Sequence, residues 1–309
     1  MEYLDEEIKK FIDGDYRKIS PIDLIEIIQV KNLNIENFKL NLSTWECDVY
    51  DNLNLSDKNL ELSPVKFGKV VGYFDCSNNN LTSLKGCPKE VGGYFKCHTN
   101  KLTSLEGCPS IINASFDCSE NSLLNLTKGP KIVNGNFCCQ GNQIRSLKSA
   151  PRYVALNFNC SQNKLTSLEG GPKYVGEKFN CSSNQLTTLK GAPKVARDFD
   201  CSNNELPTLK YAPEYIGSNF NCSNNKLTDL KNTPKAIARE FNCSDNCLTS
   251  LENAPEYVGG DFKCSGNNIS DITNLPTQYI GGNFYAYGAG NTFEITDELR
   301  KIVKGDIYK

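Results

Sequence analysis

FNCSQNKLTSLEGGPKYVGEK, residues 158–178, is one copy of a unit that recurs through most of the chain. The same phase begins at Phe74, Phe95, Phe116, Phe137, Phe179, Phe199, Phe220, Phe241 and Phe262, and in a degenerate copy at Phe284. The steps are 21 residues, except 20 between Cys181 and Cys201 and 22 at the last copy. A fixed period of this size marks a stacked repeat, in which one coil cannot bury its own apolar residues and its neighbours supply the core. The phase therefore outweighs the expectation of one or two globular domains that 309 residues would otherwise give.

Each position in the unit has a physical reading. Phe-x-Cys is period-two spacing, which turns Phe158 and Cys160 to one face of a short strand. Asn163, five residues after the Phe, is polar among apolar neighbours, and its expected role is to bond the backbone of the turn leaving the strand and to repeat that bond along the stack. Leu165 and Leu168 carry the chain through the back of the coil. Proline follows at position fourteen in every complete copy, from Pro88 to Pro276, where no ladder donor is needed. Val or Ile usually comes about three residues later.

This pattern resembles the leucine-rich repeat family, L-x-x-L-x-L-x-x-N-x-L. Here it reads Val154-x-x-x-Phe158-x-Cys160-x-x-Asn163-x-Leu165, with Phe and Cys where Leu is usual and one extra residue after Val154. The resemblance covers roughly residues 68–292. The short period and the Leu-Thr-x-Leu stretch look like bacterial repeats of secreted effector proteins, and the Cys-Ser-x-Asn version looks like repeat proteins of phages and large DNA viruses. The resemblance implies a β-rich solenoid, an arc of about 11 short parallel strands whose concave face binds partners and whose back is extended or 3₁₀-like. It further implies a protein partner, in the effector case a host factor that is inhibited or sequestered.

The ends read differently. Residues 1–64 are expected to hold helices and degenerate repeats, with Leu4, Ile8, Phe11 and Ile12 on one helix face and Ser20, Pro21 and Asp23 opening a second helix through Val30. Leu53, Leu55 and Leu60 match the repeat phase. Residues 65–292 form the solenoid, and 293–309 a C-terminal cap helix begun by Thr296 and stopped by Gly305. Terminal caps are expected because an open strand edge invites association.

Charge and composition narrow the function. The net charge of −2 gives no basic footprint for nucleic acid. No apolar run approaches the roughly 18 residues of a membrane span, and the acidic N-terminus lacks a signal core. Fifteen cysteines are an odd number, and most repeat at one slot, which reads as buried thiols in a reducing, cytoplasmic compartment. Asn-Cys-Ser at Asn159, Asn180, Asn221 and Asn242 matches the glycosylation sequon, and sugars there would crowd one face. No phosphate-binding loop, metal-ligand spacing or nucleophile elbow occurs, so no cofactor, metal or catalytic residue is expected. Asp75, Asp117 and Asp200 stand whole repeats apart, too far for one metal.

The expected function is binding of another protein without catalysis. The strand positions flanking the Phe and following the Cys are mostly Asn, Ser and Asp. Departures mark the candidate contact residues: Tyr73, Asp75, Tyr94, Lys96 and His98, then Asp117, Cys138, Lys178 and Tyr285, with Tyr287 beside the last. His98, the only histidine, is expected to be exposed where eight of nine other copies carry Ser. The alternatives are a self-assembling scaffold and a cysteine-dependent enzyme. For the latter Cys138 is expected to point outward, and Cys47 is the one thiol outside the repeats. Some bacterial relatives join such repeats to a ubiquitin ligase domain, and the 17 residues after the last turn are too few for one.

Overall fold

The computed structural model describes residues 37–41, 43–193 and 195–309. The helices expected over residues 1–30 lie outside the described residues. The chain divides into two compact units, Met1–Ile144 with Lys148–Pro151, and Arg145–Leu147 with Arg152–Lys309.

Both units are parallel-strand solenoids. In the first, two-residue strands begin at Leu53, Phe74, Phe95, Phe116 and Phe137, and each pairs in parallel and in register with the next. In the second, strands of two or three residues centred on Phe158, Phe179, Phe199, Phe220, Phe241, Phe262 and Phe284 do the same. Five turns and seven turns result, one more than the eleven counted from phenylalanine because Leu53 fills the phenylalanine slot. The in-register pairing stacks identical residues on one another. Every one of these phenylalanines is at most 1% exposed. Ring centroids on adjacent turns lie 5.0–6.0 Å apart. Fully burying each side chain contributes about 1.5–3 kcal/mol.

A second set of strands runs on the other side of each coil. Glu90–Val91, Ile111–Ile112 and Ile132–Val133 in the first unit, and Tyr153–Val154, Tyr174–Val175, Tyr215–Ile216, Ala236–Ile237, Tyr257–Val258 and Tyr279–Ile280 in the second, are parallel strands. In all of these the second residue is buried. The back that the resemblance implied to be extended or 3₁₀-like is here extended and paired in parallel. The Val or Ile after proline is an inward strand residue, and the residue before it faces out.

The N-terminal side starts with an antiparallel pair, Phe38–Asn41 against Glu46–Val49, and the latter strand then pairs in parallel with Phe67–Val70. Cys47 is 1% exposed in that strand. It belongs to the second sheet, which corrects its placement outside the repeats. At the C-terminal side the described residues hold one short helix, Asp297–Ile302. Thr296 caps it, accepting from Leu299 N through Oγ1 at 3.2 Å. The chain does not end as a helix: after Gly305 the strand Ile307–Tyr308 pairs with Phe284–Tyr285. Of the expected helical caps, the described residues hold this one helix, at the C-terminal side.

The asparagine ladder closes each coil. Asn225 Nδ2 donates to the carbonyls of Cys222 and Ser223 in its own turn at 3.2 and 3.1 Å, and to that of Cys201 in the preceding turn at 3.0 Å. Its Oδ1 accepts from Leu206 N at 3.0 Å. Asn100, Asn121, Asn204, Asn246 and Asn267 repeat the pattern. A short amide thus satisfies backbone groups that the two-residue strands leave over. The residue before each ladder Asn sits in the left-handed region, as at Asn203 (φ 54) and Asn224 (φ 54), a conformation that Asn tolerates. At the second left-handed point, a Cβ on Gly191 (φ 94) would come 2.4 Å from Leu168 O.

Candidate functional site

The strand face is mostly occupied with itself. Ser119 Oγ donates to Asp117 Oδ1 at 2.6 Å, and Asp200, Asn159 and Asn221 receive the serine two residues on in the same way. Asp75 accepts from Ser77 Oγ at 2.5 Å. These side chains brace their own strands and offer one remaining edge to solvent. Lys178, exposed, reaches Asp200 Oδ2 at 3.9 Å.

Near the start of the first unit the face changes character. The Tyr73 and Tyr94 rings stack with centroids 4.5 Å apart and 9° between planes. Lys96 Nζ stands 4.5 Å from the Tyr94 centroid and 3.9 Å from Asp75 Oδ2. Burial, followed by the Tyr73 phenol and the Asp75 carboxylate, pushes the Tyr94 hydroxyl above its ordinary range, which keeps it a neutral donor. His98 is half-buried, not exposed, with Nδ1 3.1 Å from Thr99 Oγ1. In-register pairing of Phe74 with Phe95 is what sets Tyr73 beside Tyr94 and Asp75 beside Lys96. In the second unit, Tyr285 stacks on Tyr308 at 5.0 Å and 8°, and Tyr287 packs beside both. The sequence singled out Tyr285 and Tyr287. Tyr308 was missed because it falls after the helix, outside any repeat.

No family model matches the chain, and no curated protein does. Solved structures do. The functional domain of InlJ from Listeria monocytogenes, described as including a cysteine ladder, aligns over 83% of this chain and 68% of its own, with a TM-score of 0.54 and 19% identity. The fold is that of a leucine-rich repeat protein. A repeat of about 21 residues in a parallel-strand solenoid fits the bacterial type. YopM from Yersinia enterocolitica aligns over 76% of this chain at 18% identity and a TM-score of 0.43, and the chain spans 64% of its length. YopM from Yersinia pestis, described as a leucine-rich effector protein, aligns over 100% of this chain and 99% of its own at 16% identity and a TM-score of 0.49.

Within this leucine-rich repeat fold the cysteine ladder is inert. Cys160, Cys222 and Cys243 donate from Sγ to the carbonyl of Asn180, Asn242 and Lys263 on the next turn at 3.4 Å each. Burial pushes the thiols of Cys76, Cys97, Cys118, Cys160, Cys181, Cys201, Cys222, Cys243 and Cys264 well above the ordinary range. Cys47 is pushed up to about 12 by burial and then by Asp48. Cys138 points outward from its strand as expected but is half-buried by its neighbours, and burial with Asp117 raises it to about 12 as well. Neither thiol is set up as a nucleophile. The exposed thiol is Cys247, at a turn position that the sequence reading passed over. Alkylation of the folded protein with iodoacetamide at pH 8 is expected to label Cys247 first, with the ladder reacting only after denaturation. Peptide mapping by mass spectrometry reads this, and labelling of Cys160 as fast as Cys247 would contradict the buried ladder. Among the described residues no His, Cys, Asp or Glu cluster could hold a metal ion, and no helix is long and apolar enough to cross a membrane.

The reading from sequence also missed the outward column of the second sheet. Ile111, Ile132, Tyr153, Tyr174, Tyr215 and Tyr257 are all large, apolar and exposed. The signal was present: each lies sixteen residues after a repeat Phe.

Proposed function

We propose that the chain is a non-catalytic binding module for another protein. The supporting observation is the Tyr73–Tyr94 stack with Lys96 over it, a rigid aromatic and cationic patch on a face otherwise made of self-bonded Asn, Ser and Asp. Stacked rings held by the strand register lose little freedom on binding, which favours such a patch as the energetic centre of an interface. His98, Asp75 and Asp117 border it, and Cys138, Lys178 and Tyr285 extend the same strand positions. The effector reading, a host factor inhibited or sequestered, draws its support from the repeat type. We place this work in a reducing, cytoplasmic compartment, a reading that rests on the odd number of cysteines and their equivalent position in the repeat.

The test starts with capture of the partner and measurement of its affinity by calorimetry. Tyr94→Ala combined with Lys96→Glu is expected to leave the melting temperature nearly unchanged and to cost about 2 kcal/mol or more of binding, roughly 30-fold in Kd. Unchanged affinity would remove this surface from the interface.

A further inference from the structure

The strand Ile307–Tyr308 has a neighbour on one side only among the described residues, Phe284–Tyr285. Successive turns before it are joined by the same four bonds at each step. Val258 O accepts from Gly281 N at 2.9 Å, Gly260 O from Gly282 N at 2.9 Å and Asp261 Oδ1 from Asn283 N at 2.8 Å, while Phe262 N donates to Asn283 O at 2.8 Å. One turn on, Ile280 O accepts from Lys304 N at 2.9 Å, Gly282 O from Gly305 N at 3.0 Å and Asn283 Oδ1 from Asp306 N at 2.8 Å, while Phe284 N donates to Asp306 O at 2.9 Å. Val303 O, Gly305 O, Asp306 Oδ1 and Ile307 N hold the same four places in the last turn, and none has a partner among the described residues. Ile307, in the slot of the buried phenylalanines, is only half-buried. An edge of this kind is a template for one more strand.

A segment laid parallel here continues the turn-to-turn interface, and that interface sets its sequence. It must offer three N–H groups and one carbonyl across the bend between the two sheets, so it is extended and carries no proline at those donors. An apolar side chain must open it as Ile280 and Val303 open their turns, and another must cover Ile307. A Cβ on Gly282 would come 2.3 Å from Asp261 Oδ1, and one on Gly305 2.3 Å from Asn283 Oδ1 and 2.8 Å from Gly282 O. The incoming residue opposite Gly305 is therefore glycine, as it is where backbones approach closely. Opposite Asp306 a neutral amide, the choice already made at Asn283, avoids setting a second carboxylate across the pair. Next to Tyr308 an aromatic ring repeats the stack that Tyr308 makes on Tyr285, 5.0 Å and 8°. The described turns of a second copy cannot supply such a segment. Its inner turns are paired on both sides, and its second sheet begins with Glu46–Val49 already paired antiparallel to Phe38–Asn41.

We propose that the Val303–Tyr308 edge takes an extended segment of a partner protein, of the pattern Ile-x-Gly-Asn-Phe-Tyr, added in parallel as one more half-turn. The site is a strand edge at one end of the stack, and its test involves neither Tyr94 nor Lys96, so this reading and the concave-face reading can fail separately. The probe is the acetylated and amidated peptide IGGNFY, a copy of residues 280–285, titrated onto the full chain by calorimetry. It is expected to bind saturably. The same peptide methylated on its asparagine nitrogen loses the bond to Asp306 and should bind at least about tenfold more weakly. The reversed peptide YFNGGI should not bind at the same concentrations. Ile307→Pro removes the outward donor at an edge position where proline is tolerated, and should abolish binding while the melting temperature nearly holds. Asp306→Ala, a milder change at an exposed residue, should weaken binding several-fold. Absence of saturable binding, equal binding of the methylated or reversed peptide, unchanged binding in Asp306→Ala, or binding that survives in a folded Ile307→Pro variant would each overturn the proposal. So would self-association of the chain alone that Ile307→Pro abolishes, since a second copy would then hold the edge.

Discussion

Phe220→Ala is expected to destabilise the protein by about 3–5 kcal/mol, the usual cost of deleting a phenyl ring from a closed core. Phe220 is 0% exposed and lies between Phe199, at 6.0 Å, and Phe241, at 5.8 Å. The backbone above and below is pinned by in-register pairing, so the turn has little room to collapse into the space left. Urea titration followed by circular dichroism measures the loss. Phe220→Leu keeps most of the volume and should cost markedly less. A loss below about 1 kcal/mol for the alanine variant would mean that the ring column is not core. Because turns contact chiefly their neighbours, amide exchange should quicken first near residues 199–241 and last far from them.

Asn225→Ala is the second large effect. It removes three donations and one acceptance, all to backbone, at a site 8% exposed. Each buried group left without a partner costs about 1–3 kcal/mol, and water can reach some of them, so a total of about 3 kcal/mol or more is expected. Asn224→Ala, one residue earlier, loses a surface bond to Asn203 and puts alanine at φ 54, a strain of about 1–2 kcal/mol, so it should cost less than Asn225→Ala but not nothing. Asn225→Asp adds a pH test. The carboxylate would face three carbonyls and could donate to none, so folding would raise its pKa. A raised acid favours the folded state at low pH, where it is protonated in both states. The Asp variant should therefore recover part of its loss as pH falls, while the Ala variant should not. Equal pH profiles for the two would show that the amide's donations do not matter.

The core was legible in the sequence because in-register stacking copies each inward residue at a fixed step. Phe, Cys, Asn and Leu announce their roles ten times over. The second sheet was harder to see. Its strands are two residues long, as at Tyr174–Val175, too short for alternation to register. Its inward residue varies between Val and Ile, and its outward residue between Ile, Tyr, Glu and Ala. Cys247 escaped notice because a turn position tolerates any residue, so its exposure is not marked by a pattern. His98 was placed further out than it is, since an outward residue on a stack of two-residue strands is still half covered by the turns on either side. The Tyr73, Tyr94, Lys96 cluster was legible for the opposite reason: residues one repeat apart on paired strands must touch.

The asparagine bonds between turns all point one way. Within each unit the amide of one turn reaches back to the Cys carbonyl and the Leu amide of the turn before it, as Asn204 does to Cys181 and Leu186, and Asn291 to Cys264 and Ile269. Each turn's Asn holds its own Cys carbonyl and the following one, but the second bond to that Cys carbonyl and the bond to the turn's Leu amide come only from the next turn. A chain emerging from the ribosome would thus always hold its newest coil open until the following one had been made, and folding would advance one coil behind synthesis. Shortening the protein from its C-terminal side leaves an unlatched coil at the new end, whereas shortening it from the other side removes only coils that had already been closed.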